Sequence, residues 1–242
     1  MMSRRHLLMT SPALVSACAS LPSAPPVPPE GLAAGEQKAW QLEGERMWVW
    51  LPPEYAQRRE RWPLLVFLHG SGERGSDLEA VKRNGPPMLA ARGTTYPLVL
   101  VSPQLEAGAV WNPERLHQLL AALKTRLHVD PQRCLGTGLS LGGHGMWHWA
   151  STYPRDLAAI APVCGYGDPA RVAAMRDVPV RAYHGDADTV VPLAKQQACV
   201  DALRAAGGRA SFTIYPGVGH DSWTPAYQDP DLLPWLLAQR QS

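Results

Sequence analysis

Strand-length and helix-length segments alternate along most of this chain, and that alternation constrains its fold more than any other feature. Six short apolar runs, at residues 64–68, 98–101, 133–137, 158–163, 180–184 and 210–215, have the length and continuity of strands buried on both faces. Four stretches of helical length and apolar spacing lie among and after them: Pro113–Leu127, Leu141–Tyr153, Pro192–Ala206 and Asp231–Gln239. An earlier pair, Ala39–Leu42 and Arg46–Leu51, flanks Glu43-Gly44-Glu45 as a hairpin would. The pattern predicts an α/β fold with a mostly parallel central sheet of about eight strands and helices on both faces. No internal repeat interrupts it, and residues 35–242 read as one domain without a long insertion that could form a large lid.

Charge and hydropathy narrow the function classes. The 23 Lys and Arg against 21 Asp and Glu leave a formal charge of +2, with no polybasic stretch, which argues against a nucleic-acid partner. Nowhere is there the run of roughly 18 apolar residues that a membrane-spanning helix needs. The first residues are different in kind. Arg4-Arg5 precedes an uncharged stretch, Leu7–Ala17, too short to span a bilayer. Ser3–Leu8 resembles a twin-arginine export signal, and Val15-Ser16-Ala17-Cys18 resembles a bacterial lipobox. Residues 1–17 are therefore expected to be a lipoprotein signal peptide and Cys18 the lipidated residue, placing the protein outside the cytoplasm on a membrane tether. Five prolines between Leu21 and Glu30 make residues 18–34 a spacer, which as polyproline II would reach roughly 30 Å. The remaining cysteines, Cys134, Cys164 and Cys199, are odd in number and widely spaced, and read as buried free thiols.

The chemistry starts at Gly138-Leu139-Ser140-Leu141-Gly142, a Gly-x-Ser-x-Gly run directly after one strand and before one helix. Such a turn projects its serine, and the residues two positions either side must be small so that strand and helix can approach. A dinucleotide reading fails because Leu141 stands where Gly136-x-Gly138 would require glycine or alanine. A serine hydroxyl needs a base, and the base needs a carboxylate to orient it. Candidates for both follow strand ends: Asp186 and Asp188 after residues 180–184, and His220 in a glycine-rich loop after residues 210–215. Asp188 is the preferred acid and His220 the proton carrier, in the chain order Ser, Asp, His. His69-Gly70-Ser71-Gly72-Glu73-Arg74-Gly75 supplies a backbone loop for an oxyanion hole, with the amides of Ser71 and Leu141 assigned to it. His144 and His148 lie four apart, but Gly145 replaces the glutamate of a zinc motif and no third ligand is apparent, so no metal is expected.

The strand with His69–Gly75, Ser102-Pro103-Gln104, Gly138–Gly143, His184–Pro192 and Pro216–Trp223 together resemble the α/β-hydrolase fold, close to a bacterial esterase and predicted-peptidase group that is similar to family-one carbohydrate esterases. The resemblance implies Ser140 as nucleophile, Asp188 as acid, His220 as base and no cofactor. It departs at His144, where an aromatic residue is frequent. Nine tryptophans against two phenylalanines make Trp111 and Trp223, in expected loops, candidates with Gln104 for substrate binding. The expected activity is hydrolysis of short-chain, aryl or carbohydrate esters. Amide cleavage by the same residues, or a non-catalytic surface-binding module, are the alternatives. Oligomeric state is left open.

Overall fold

The computed structural model describes residues 26–241, so the expected signal peptide and Cys18 lie outside the described residues. Eight strands form one sheet: β1 (Gln37–Leu42), β2 (Glu45–Trp50), β3 (Trp62–Leu68), β4 (Val99–Pro103), β5 (Val129–Leu139), β6 (Ala159–Val163), β7 (Val180–Gly185) and β8 (Ala210–Tyr215). Their order across the sheet is β1-β2-β4-β3-β5-β6-β7-β8. The hairpin β1–β2 and its contact with β4 are antiparallel, and every later pairing is parallel. The helices are α1 (Gly85–Ala91), α2 (Pro113–Arg126), α3 (Leu141–Thr152), α4 (Leu193–Ala205), α5 (Trp223–Gln228) and α6 (Leu232–Leu237).

Alternate residues of each central strand face opposite cores. Leu64, Val66 and Leu68 of β3 pack with Leu120 of α2, Met146 of α3 and Val200 of α4. Leu65 and Phe67 of the same strand pack on the other side with Ala90 of α1, Ala226 of α5 and Leu236 of α6. Buried on both faces, these strands read as uninterrupted apolar runs. The terminal strand β8 has only partly buried and exposed residues. Trp48 and Trp50 secure the hairpin, donating their indole N–H groups to the carbonyls of Leu78 and Tyr96.

Two helices escape the sequence pattern. Helix α1 opens with Gly85-Pro86-Pro87, a tripeptide that reads as loop; proline is tolerated there because amides of the first helical turn lack intrahelical partners. Helix α5 begins at Trp223, which was expected in a loop, and is only six residues long. Strand β5 is also longer than its apolar run, because Val129 pairs with Trp62 before a register shift. Cys134, Cys164 and Cys199 are free and buried. Burial pushes the Cys134 thiol up to about 11 and that of Cys164 up to about 12, so neither is a thiolate at neutral pH.

Among the glycines of the described residues, the closest backbone approach lies between the end of β3 and the start of α3. A side-chain carbon at Gly142 would sit 1.9 Å from the Leu68 carbonyl oxygen, a backbone atom that cannot swing aside. Gly142→Ala should therefore lose at least ~3 kcal/mol of stability, the upper part of the range for overpacking. Gly72→Ala, at a position with open space around it, should stay within ~0.5 kcal/mol of wild type. Urea unfolding of the two variants checks this, and equal midpoints would mean that the strand–helix contact is soft.

Candidate active site

Strand β5 ends at Leu139 and α3 begins at Leu141, leaving Ser140 alone in the turn between them. Its backbone has φ 50 and ψ −115, a strained conformation for a residue with a side chain. The Ser140 amide donates to the Val163 carbonyl at 3.0 Å, and its carbonyl accepts from the His144 amide at 3.0 Å. Backbone contacts on both sides thus hold the turn that projects the hydroxyl.

Three sequence-expected residues meet here. His220 Nε2 lies 2.9 Å from Ser140 Oγ, and His220 Nδ1 lies 2.8 Å from Asp188 Oδ2. The other carboxylate oxygen of Asp188 accepts the amides of Val190 and Val191 at 2.8 and 2.9 Å. Burial opposes the charged form of Asp188, but the hydrogen bonds from His220 and from those two amides outweigh it and hold the carboxyl below its ordinary range. Asp186 does different work. Its Oδ1 accepts the Gly217 amide at 2.6 Å, shaping the turn that leads to His220 without touching the imidazole.

The loop after β3 closes the opposite side. His69 is buried; its Nδ1 donates to the Gly70 carbonyl at 2.6 Å, and its Nε2 accepts the Leu105 amide at 3.0 Å. Ser71 and Leu141 each start a helical turn, the first a short 3₁₀ turn and the second α3. Their amides therefore have no acceptor within their own helix. A side-chain carbon at Gly70 would lie 3.6 Å from the Ser140 Cβ, so this loop runs alongside the hydroxyl.

The three expected substrate-binding residues have structural work as well. Gln104 is buried, gives its amide hydrogens to the carbonyls of Glu73 and Asp77 and accepts from Arg46. It braces the loop after β3, with both amide hydrogens given to backbone carbonyls. Trp111 is also buried, with its indole N–H on the His69 carbonyl at 3.1 Å. Trp223 stands edge-on to the His220 ring at 5.3 Å between centroids and donates to Asn84 Oδ1 at 3.2 Å. Asn84 in turn donates to Glu73 Oε1 at 2.6 Å, tying the His220 support to the loop after β3. Nothing in the local sequence marks Asn84 for this role, since its partners are 11 and 139 positions away.

A cavity of about 380 Å³ opens beside the Ser140 turn, lined by Leu141, His144, Tyr166, Trp111 and Arg171. A larger one of about 640 Å³ is lined by Trp111, Arg46, Gln104 and Arg115 and contains none of the three meeting residues. His144 Nδ1 faces the backbone of Tyr166, and burial lowers the affinity of this ring for a proton.

The chain is similar to proteins already known. The family model described as the dienelactone hydrolase family matches residues 106–228, which hold Ser140, Asp188 and His220. A Salmonella typhimurium protein, provisionally named a carboxymethylenebutenolidase, is 29% identical over 125 residues, covering 46% of this chain and 45% of that protein. The chain thus spans under half the length of the curated relatives it matches. A thermostable esterase of solved structure is 26% identical with a TM-score of 0.74, covering 85% of this chain and 63% of that one. A feruloyl esterase module from Clostridium thermocellum, complexed with sinapinate, shares the fold at 16% identity and a TM-score of 0.64, covering 85% and 88% of the two chains.

His69 generates a stability prediction. Burial lowers its pKa from the ordinary 6.5 to about 4, so between those values the unfolded chain binds the proton that the folded one refuses. Stability from this group is complete above pH 6.5 and falls as the pH drops towards 4, by up to roughly 3 kcal/mol. Urea unfolding from pH 7 to 4 should give a shallower acid loss for His69→Asn than for wild type. Parallel curves would show that His69 is protonated as easily folded as unfolded.

Proposed function

The chain belongs to the dienelactone hydrolase family, and on that premise we propose that it is a serine carboxylic ester hydrolase working through Ser140, His220 and Asp188. The observation that carries the proposal is the unbroken hydrogen-bond path from Ser140 Oγ through both nitrogens of His220 to the Asp188 carboxylate. The 26% identical thermostable esterase points the same way.

In this reading Ser140 Oγ attacks the ester carbonyl carbon while its proton passes to His220 Nε2. The carbonyl oxygen becomes an oxyanion, which the amides of Ser71 and Leu141 stabilise. The imidazolium now on His220 is stabilised by Asp188, whose carboxylate is held ionised by the Val190 and Val191 amides. The intermediate collapses, His220 gives its proton to the departing alkoxide, and the alcohol leaves an acyl-serine. Water then attacks the acyl carbon, returning its proton through His220 as Ser140 departs and the acid is released. The cavity of about 380 Å³ beside Leu141 is at the small end for a ligand pocket, which favours compact acyl or aryl esters over long chains.

Ser140→Ala should stay folded and lose more than ~10³-fold in kcat/KM on acetyl-to-butyryl esters, and Asp188→Asn should lose a comparable factor. Asp186→Asn should stay within about threefold, the size of an indirect loop effect. Steady-state assays of the three variants decide the assignment: full activity in Ser140→Ala removes the mechanism, and the reverse ranking of the two aspartates moves the acid.

We further propose that the protein is exported and lipid-anchored through Cys18, on the strength of Val15-Ser16-Ala17-Cys18 and the proline-rich segment behind it. A single acyl chain binds membranes only marginally, so a stable anchor requires more than one. Labelled palmitate should enter the wild-type protein in a lipoprotein-processing host and not Cys18→Ser; an unlabelled wild type would reject the anchor.

A further inference from the structure

A second histidine stands behind the acid. His184, the penultimate residue of β7, is fully buried. Its Nδ1 lies 2.5 Å from Gln196 Oε1, while its Nε2 lies 2.9 Å from the Val191 carbonyl oxygen and 3.1 Å from Asp188 Oδ2. The Gln196 amide is oriented from its far side, where Nε2 donates to the Pro162 carbonyl at 3.2 Å. A carbonyl oxygen only accepts, so turning this amide over would set two oxygens against each other. Both nitrogens of His184 therefore face acceptors. A neutral imidazole has one N–H and would direct a lone pair at an oxygen; the imidazolium has two and satisfies every contact. His69 is the internal contrast, since its nitrogens meet one acceptor and one donor, as a neutral ring requires.

We propose that His184 is a buried imidazolium that pairs with Asp188, dividing the charge of that carboxylate between two imidazoles and serving as a positioning residue for His220. The proposal rests on the ester-hydrolase reading of Ser140, Asp188 and His220. The groups facing His184 fit it. Asp188 lies on the loop that follows β7, His220 approaches the same carboxylate from the loop after β8, and His144 of α3 lies within electrostatic reach of His184. Strand β8 and helix α4 present the uncharged Phe212 and Gln196, and β6 presents the Pro162 carbonyl. A carboxylate and an imidazolium buried together cost far less than either charge alone. The consequence reaches the proposed base: an Asp188 oxygen shared with a second N–H has less charge to offer His220.

Nitrogen-15 NMR of the histidine side chains in the wild-type protein without substrate tests the protonation. At about pH 8, where a free imidazole has lost its proton, both His184 nitrogens should still carry hydrogen; an unprotonated one overturns the proposal. This measurement stands independently of the ester-hydrolase reading, which Ser140→Ala tests. His184→Gln supplies the kinetic arm. Its kcat should fall by about tenfold, and the acid limb of its kcat/KM profile should move to higher pH by about half a unit or more as His220 takes the full Asp188 charge. An active variant whose limb does not move would reduce His184 to a packing role. Should it fail to fold, the wild-type spectrum alone decides.

Discussion

The Leu68 carbonyl and the first turn of α3 pass so closely that no side-chain carbon fits between them, and the candidate site depends on that contact. It brings the His69–Gly75 loop alongside Ser140, next to the turn from which α3 starts at Leu141. A second close approach works in the same way on the other side. A side-chain carbon at Gly185 would lie 2.1 Å from the Val218 carbonyl oxygen, and this crowding sets the acid loop against the loop that carries His220. Parallel register completes the assembly: Leu68 pairs with Gly138 and Gly185 with Tyr215, so each functional loop leaves the same edge of the sheet.

Much of this was legible because burial on both faces leaves a simple trace in sequence. The central strands stand out as apolar runs since neither face of them meets water, and the Ser140 turn stands out because its geometry excludes all but small residues at Gly138 and Gly142. Asp188 was separable from Asp186 only weakly by sequence, since both lie in one turn. The structure separates them by direction, one carboxylate reaching His220 and the other the Gly217 amide.

What stayed hidden depends on long-range partners. Gln104 and Trp111 have residue types suited to ligands, but their side-chain N–H groups donate to the backbone of the loop after β3. Asn84 links Glu73 to Trp223 across segments that share no local pattern. Helix α1 was missed for a different reason: adjacent prolines signal a break within a helix but are compatible with its first turn.

The histidines show why burial alone does not determine chemical role. His69 and His184 are both fully buried, yet one is matched to a donor and an acceptor and the other to acceptors only. His220 is part-exposed and spans a carboxylate and a hydroxyl, so its two nitrogens can hold a proton on one side while exchanging one on the other. The same ring is thus a brace in one place and, in the roles proposed for His184 and His220, a counter-ion or a proton carrier in others, according to the hydrogen-bonding character of the atoms at its two nitrogens. In this fold those atoms, apart from Gln196 Oε1, belong to the segments that follow strand ends. The sheet therefore does more than place the side chains: it supplies the partners that decide which of them can change protonation during a reaction.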